Sequence, residues 1–302
     1  MRVSAVVLNW RDSRRTVRCV RGLLAIEGVE NVFVVDNESD GTLRGELDAS
    51  LERRAWTLTE VATNTGFAAG VNLGIKQSLQ ASADFVLVIN NDAVLDSDSF
   101  SHLVNALLDD PRIGLVAPSI RDPDGTIWPS SGRTSPWTGT TSHVLSTGSV
   151  PDFVTWACVL VRREVFDVVG FLDERFFMYW EDVDYCLRLT AAGIAFAEVN
   201  HATVMHEVSS NRATHSVAIK AYHTWSGLVF AEAYRGRWNI GKWRWMIVSL
   251  AANLVRLRRD RILGLFRGVQ LAREGSNPAW RSKLRAEQFG LGYSAPVRGP
   301  AE

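Results

Sequence analysis

The apolar run Phe85-Val86-Leu87-Val88-Ile89 ends abruptly in Asn90-Asn91-Asp92. A buried strand has no use for three polar side chains in a row, so two amides and a carboxylate must face something other than the core. A second acidic cluster, Glu181, Asp182 and Asp184, follows the aromatic residues Phe176, Phe177, Tyr179 and Trp180. The aromatic run suggests a pocket wall with carboxylates at its rim. Acids in a first helical turn also complement the helix dipole without any ligand, and Asp184 is spaced to pair with Arg188 on one face. Crowding raises carboxylate pKa values and a helix N-terminus lowers them, so the sequence leaves the net sign open. His206 gains chemical meaning only beside an acid from elsewhere, for which Asp92 is the candidate.

Two further segments carry chemistry-bearing residues. "VVDNESDG", with Asp36 at its third position, has the composition of a turn. "NTGFAAGVNLGI" places Gly66 and Gly70 before a helix, where backbone N–H groups cradle phosphate in some proteins and form ordinary loops in others. It lacks the Gly-Lys-Ser/Thr ending of a P-loop, and its glycine spacing differs from the dinucleotide fingerprint.

The elements that must position these residues alternate along the first half. Val3–Leu8 reads as a strand and Ser13–Ile26 as a helix with Ser13 as its N-cap. Short strands follow at Val32–Val35, Trp56–Val61, Phe85–Ile89 and Ile113–Ala117. Between them come a helix over 42–51, a Gly-containing loop over Asn64–Gly70 followed by a helix through Leu79, and a helix over Asp98–Leu108. This spacing predicts an α/β fold with a mostly parallel sheet covered on both faces. Ligands of such sheets bind beyond the carboxyl ends of the strands. Asn9, Asp36 and Asn90-Asn91-Asp92 end separate strands at that edge. Residues 121–152, rich in Pro, Gly, Ser and Thr, read as a long loop. Phe153–Val161 reads as a strand, Arg163–Val169 as a helix, Glu181 to Gly193 as another, and Ile194–Val199 as a strand.

Composition sets outer bounds. The 302 residues are 46% apolar and 22% charged, which supports a substantial core. Cys19, Cys158 and Cys186 form no CxxC pair, which excludes a zinc knuckle or redox dithiol and fits a reducing compartment. No basic stretch followed by an apolar one marks the start as a secretory signal. Net charge is zero but uneven. Residues 235–273 hold ten Lys or Arg against the single acid Asp260, while residues 1–234 carry −10.

The segments "VLNW", "VVDNESDG", "NTGFAAGVNLG", "VLVINNDAVLD", "FLDERFFMYWEDVDYCLRL" and "ATVMHEVSS" occur in that order over residues 3–210. In this order and spacing they resemble the family 2 glycosyltransferases of GT-A fold. The nearest branch is that of the bacterial rhamnosyltransferase-like enzymes of cell-surface polysaccharide assembly. The resemblance implies a Rossmann-like central sheet flanked by helices, with a catalytic domain over 1–210 and a basic helical extension over 211–302. Within the former, 1–117 would bind the nucleotide sugar, and 118–210 would carry the acceptor site and catalytic base. It also implies a hexosyltransferase-class enzyme whose donor is a nucleoside-diphosphate sugar.

Residue by residue, Asn9, Asp36 and Asn64 match positions near the nucleoside, with Asp36 as reader of a pyrimidine base. Gly66, Gly70 and Asn72 match the loop that closes on the nucleotide. Asn90-Asn91-Asp92 matches the family's Asp-any-Asp metal motif, with Asn in the first place. Asp92 would hold Mn²⁺ or Mg²⁺ with His206 as the second protein ligand. Asn90 would coordinate through its carbonyl oxygen or bind the ribose instead. Asp182, second in the Glu-Asp pair, matches the general base. Hard divalent ions take few protein ligands when substrate phosphates supply the rest, and they neutralise the leaving diphosphate. The implied reaction is one in-line displacement with inversion. The expected donor is dTDP-rhamnose first and UDP-sugars next, and the acceptor a lipid-linked or growing surface glycan. One departure stands out: Trp156-Ala157 replaces a small Gly-Ala pair common in relatives, which reshapes a pocket that Tyr179, Trp180 and Glu181 would also line.

In the basic segment, Trp243, Met246, Ile247, Leu250, Leu254 and Leu257 recur at helical spacing among arginines. The apolar stretch 246–255 is too short to span a bilayer. Two readings stay open: an interfacial helix on anionic lipid, or a helix packed on the catalytic domain or a homodimer partner. Nothing else supports nucleic acid as a partner. A cytoplasmic protein, peripheral at the inner face of the plasma membrane, is expected. Two rival functions are a sugar nucleotidyltransferase, using Arg11, Arg14 and Arg15 on a triphosphate, and a non-catalytic nucleotide- or glycan-binding module.

Overall fold

The computed structural model describes residues 1–51, 56–143, 151–207 and 217–274. The last residues of the "ATVMHEVSS" segment, 208–210, and the extension beyond 274 lie outside that description.

The first half alternates as β1 (Val3–Asn9), α1 (Ser13–Leu24), β2 (Val29–Asn37), α2 (Thr42–Ser50), β3 (Trp56–Val61), α3 (Phe67–Gln80) and β4 (Phe85–Asn90). Then come β5 (Ala93–Leu95), α4 (Ser97–Asp109), β6 (Ile113–Arg121), β7 (Ile127–Trp128), β8 (Ser131–Ser135), β9 (Thr140–His143), β10 (Phe153–Val154) and β11 (Cys158–Arg162). The chain continues through α5 (Arg163–Val169), α6 (Glu181–Ala191), β12 (Ala195–His206), α7 (Val217–Tyr234), α8 (Arg237–Val255) and α9 (Arg259–Glu274).

The main sheet has the order β3-β2-β1-β4-β11-β6-β12-β5. Strands β3, β2, β1 and β4 are parallel to one another, β11 runs antiparallel between β4 and β6, and β12 is parallel to β6. The chain moves outward from β1 through β2 to β3, then returns to β4 on the other side of β1. That reversal opens a crevice at the carboxyl ends of β1 and β4. Both faces of the sheet are buried, which is why β1 and β4 are mostly apolar, β1 broken only by the buried Ser4 before its polar end. On one face Val6, Val86 and Val88 meet Val71 and Ile75 of α3. On the other, Ala5, Val7, Leu87 and Ile89 meet Val17, Val20 and Leu23 of α1.

Several boundaries move relative to the sequence reading, each for a local physical reason. The N-cap of α1 is Asp12, whose carboxylate accepts from Arg15 N–H, and Ser13 is the first helical residue. A cap stabilises by about 1 kcal/mol, whereas each buried Val or Leu contributes roughly 2 kcal/mol, so burial decides where α1 lies. Helix α3 begins at Phe67, so Gly70 and Asn72 are helical rather than part of a loop. Strand β2 runs through Asp36 and Asn37 because both pair with β3. Within the stretch 121–152 the described residues 121–143 are not a plain loop: β8 and β9 form a hairpin that β10 extends to a three-stranded sheet. Alternation in Ser131–Ser135 and Thr140–His143 is polar on both faces, so no apolar period betrays it. Glu198 of β12 anchors this small sheet by accepting from Ser130 N–H and Ser131 N–H at 3.2 and 3.1 Å.

The C-terminal helices share the core. Phe230 and Ala231 of α7 and Trp238 of α8 join the same apolar cluster as Trp156, Trp180 and Val183.

Candidate active site

Two clefts open along the carboxyl edge of the sheet. The first, about 490 Å³, lies over β1 and β2 and is lined by Asn9, Arg11, Asp36, Glu38 and Asp40 among others. Asn9 and Asp36 are register partners, and Asn9 Nδ2 donates to Asp36 Oδ1 at 2.6 Å. Asn9 Oδ1 in turn accepts from Thr16 Oγ1 at 2.6 Å, and Asn91 Nδ2 donates to the same hydroxyl at 2.9 Å. Asn91 therefore braces the end of β4 against α1. Arg11 pairs with Glu38 at 3.0 Å and Arg15 with Asp12 at 2.9 Å, so these two cations are already neutralised by acids. That is a poor cradle for a triphosphate.

The second cleft, about 380 Å³, is lined by Asn90, His143, Trp156, Tyr179, Glu181 and Asp182, with further aromatic and backbone surface. Asp182 is half-buried at the start of α6, and its Oδ1 accepts from Val183 N–H at 2.8 Å. Burial pushes its carboxyl up to about 6, against the pull of that N–H and of His143 in the opposite direction. Glu181 is 7% exposed and its Oε2 has no hydrogen-bond partner. Burial first, then the Asp182 charge, holds its carboxyl well above the usual range. Trp156 Nε1, Trp180 Nε1 and His223 Nδ1 are buried without a partner in the same wall. Buried polar atoms are rarely left unpaired, and such a concentration of them at one pocket marks a surface built for a polar ligand.

Backbone strain sits here as well. Tyr179 and Trp180 are consecutive non-glycine residues at φ of 74° and 72°. Left-handed backbone at bulky residues persists only where packing over-determines it. Trp180 is held by Phe230 at 4.8 Å and by Lys242, whose ammonium lies 4.5 Å from its ring centroid. Trp156 packs edge-on against Tyr185 at 4.9 Å, and its buried indole lines the same cleft.

Beside the second cleft, next to its lining residue Asn90, His206 Nε2 lies 3.0 Å from Asp92 Oδ1 and 3.3 Å from the Asn90 amide nitrogen. The antiparallel pairing of β5 with β12 creates this meeting: Ala93 faces His206, and Glu207 N–H donates to Asp92 O at 2.9 Å. One carboxylate oxygen, one imidazole nitrogen and one amide converge at a single point. With the Asn90 amide turned over, its oxygen takes the place of its nitrogen. That donor set fits a divalent cation whose remaining ligands come from phosphate oxygens or water. Among the described residues no group of three or more His, Cys, Asp or Glu gathers as a metal site, and this point brings together only two of them.

Not every residue singled out by sequence reaches a cleft. Asn64 Oδ1 accepts from Asn37 Nδ2 at 3.0 Å and from Gly66 N–H at 2.9 Å, so it locks its own loop. Asn72 Nδ2 donates to Leu172 O at 2.9 Å, and its Oδ1 accepts from Leu172 N–H at 3.1 Å, which pins α3 to the segment before α6. Gly70 provides close packing: a Cβ there would stand 2.5 Å from Leu8 Cδ1. Gly66, at φ +86°, approaches Phe177, whose carbonyl accepts from Phe67 N–H at 2.7 Å. Three contributors were not singled out by sequence. Asn37 bridges β2 to the Asn64 loop, His143 sits in a stretch without apolar period, and His223 lies on α7. Only "VVDNESDG", which contains Asn37, carried a local signal.

The chain is similar to known proteins both in sequence and in fold. A family described as "Glycosyltransferase like family 2" matches residues 1–227. An N-acetylglucosaminyl-diphospho-decaprenol L-rhamnosyltransferase of Mycobacterium tuberculosis is 31% identical over 274 residues, covering 79% of this chain and 88% of the relative. The dTDP-rhamnosyl transferase RfbF of Shigella flexneri is 27% identical, covering 59% of this chain and 60% of the relative. In three dimensions the chain is similar to a mannosyltransferase from Pyrobaculum calidifontis solved with GDP-Man and Mn²⁺. There the TM-score is 0.57 and the identity 15%, over 91% of this chain and 87% of that one. These likenesses, the strand order and the paired clefts together make the chain a member of glycosyltransferase family 2, a GT-A-fold glycosyltransferase resembling the rhamnosyltransferases.

Proposed function

We propose that the protein is an inverting, divalent-metal-dependent transferase. It would move a sugar, rhamnose from dTDP-rhamnose in the first instance, to a hydroxyl of a lipid-linked or growing surface glycan. The observation that carries this reading is the placement of Asn90 and Asp182 on one 380 Å³ pocket, with the Asp92–His206 pair at its edge. A base on one side and a cation-binding group on the other is the arrangement that a single in-line displacement needs.

In this reading the nucleoside occupies the cleft over β1 and β2, where the buried Asp36 carboxylate and the Asn9 amide face the base. Asp92 and His206, with Asn90, hold Mn²⁺ or Mg²⁺. When bound, the ion neutralises the charge that develops on the departing diphosphate. Asp182 accepts the acceptor's hydroxyl proton as that oxygen attacks the anomeric carbon and the bond to the diphosphate breaks. Trp156, Tyr179 and Glu181 shape the sugar and acceptor site. The relatives' names support rhamnose and a lipid diphosphate acceptor. Such an acceptor would bring the enzyme to the cytoplasmic face of the membrane, where nucleotide sugars are available.

The test has two arms. A thermal-shift panel of nucleotide sugars with and without Mn²⁺ should show the largest shift with dTDP-rhamnose plus metal. A larger shift with a UDP-sugar would replace the donor assignment. Asp182→Asn should still bind nucleotide but lose transfer by a factor of about 100 or more. Near-normal turnover would overturn the base assignment.

A further inference from the structure

Helices α8 and α9 present an unusual surface. Of the fifteen large apolar side chains that are exposed among the described residues, nine lie between Ile240 and Phe266. The inward faces of these helices are already satisfied. On α9, Gly264 and Gly268 lie against Lys220 and Thr224 of α7, and Leu265 and Leu271 are buried. On α8, Gly241 lies so close to the hairpin turn that a Cβ would stand 2.0 Å from Pro136 O, and Lys242 is buried beneath it. The exposed apolar residues are therefore additional to what the fold needs. Ile247 is 66% exposed, Val255 85% and Leu257 84%, and a groove between the two helices is lined only by apolar side chains, including Trp243, Leu250 and Phe266. A contiguous apolar surface of this kind marks an interaction site.

The charges around it are predominantly positive. Arg256, Arg258 and Arg259 are exposed at the turn between α8 and α9, with Arg244 and Arg267 exposed further along. Asp260 is the only acid from 235 to 273. Apolar side chains also project outside the groove, at Val248, Val255 and Leu257, so the surface suits insertion into a plane better than the capture of one helix. No described helix is long and apolar enough to cross a membrane.

The geometry points to α8 and α9 as an interfacial anchor that lays the enzyme on an anionic lipid bilayer, apolar side chains among the acyl chains and arginines among the headgroups. Charge favours this occupant over two others. A second copy docked face to face would bring like charges together. The remaining chain, 275–302, has four basic and two acidic residues and cannot neutralise the face. This inference does not depend on the donor, the metal or the base.

The experiment is sedimentation of the full chain with phosphatidylglycerol-containing vesicles and with phosphatidylcholine vesicles, at low and high salt, beside its oligomeric state by light scattering. The protein should pellet with the anionic vesicles at low salt, stay in the supernatant with the neutral ones, and be released by salt. Arg256→Glu, Arg258→Glu and Arg259→Glu together should weaken vesicle binding by roughly a hundred-fold or more, and Ile247→Glu with Phe266→Glu should abolish it. Both variants should keep the nucleotide-induced thermal shift of the parent. Failure of the intact protein to pellet at low salt would overturn the proposal, and a stable dimer with no vesicle binding would assign the face to a second copy. Equal binding of the Arg→Glu variant would also overturn it.

Discussion

His206 Nε2 and Asp92 Oδ1 stand 3.0 Å apart, joined by the pairing of β5 with β12 rather than by proximity in the chain. Each is partly buried, and the Asn90 amide, which also lines the 380 Å³ cleft, completes a three-way meeting. If this point holds the cation, Asp92→Asn and His206→Gln should each weaken Mn²⁺ binding in the presence of a nucleoside diphosphate by at least about ten- to a hundred-fold. Titration calorimetry reads this without turnover. Unchanged Mn²⁺ affinity in both variants would place the ion elsewhere.

The pH dependence of transfer should expose Asp182. A base works when ionised, and burial pushes this carboxyl up to about 6. Activity should therefore be present above that value and fall as pH drops through it, where an ordinary carboxylate would keep activity down to about 4. His143 favours the ionised form. His143→Gln should move the acid limb of kcat/KM to higher pH. A limb near 4 in the parent, or no movement in the variant, would contradict the arrangement.

Glu181 should contribute a stability penalty that depends on pH. Its folded carboxyl titrates above the unfolded one, so between the two values the folded chain binds more protons than the unfolded chain. Stability then falls as pH rises through the ordinary glutamate range, and the penalty is complete above the folded value. Glu181→Gln should raise Tm at pH 7.5 and change it little at pH 4. A variant that is less stable at pH 7.5 would show that the ionised carboxylate has a stabilising partner.

Glycines 66 and 70 should differ in cost. At Gly66, φ is +86° and a Cβ would stand 2.4 Å from Phe177 O, which is backbone and cannot yield. Gly66→Ala should cost about 1–3 kcal/mol and weaken nucleotide binding, as read by thermal shift with and without nucleotide. At Gly70 the clash is with the end of the Leu8 side chain, which can rotate. Gly70→Ala should therefore cost less. Equal losses would argue against a special role for the Gly66 backbone.

The local pattern alone was enough to read much of this protein. Val3–Asn9 and Phe85–Asn90 are strands because β-branched and apolar residues dominate up to their polar ends, with Ser4 the one break, where both sheet faces are covered. Helices α5 and α6 follow from periodicity and punctuation, and their starts agree with expectation. The polar ends of β1, β2 and β4 were legible as a ligand edge because buried strands do not end in amides and carboxylates without cause.

What only the tertiary structure decided is which of those residues meet. Asn64 and Asn72 carry the same chemistry as Asn9 and Asn90, yet only the latter two line the clefts, while Asn64 and Asn72 bind Gly66 and Leu172 away from them. The sheet formed by β8, β9 and β10 has no apolar alternation, so the hairpin that brings His143 to Asp182 left no period to read. His223 reaches the pocket because α7 packs against the core that contains Trp180. The Asp92–His206 contact depends on the register of β5 against β12, and strand register between distant segments is fixed by the whole packed sheet, not by either segment alone.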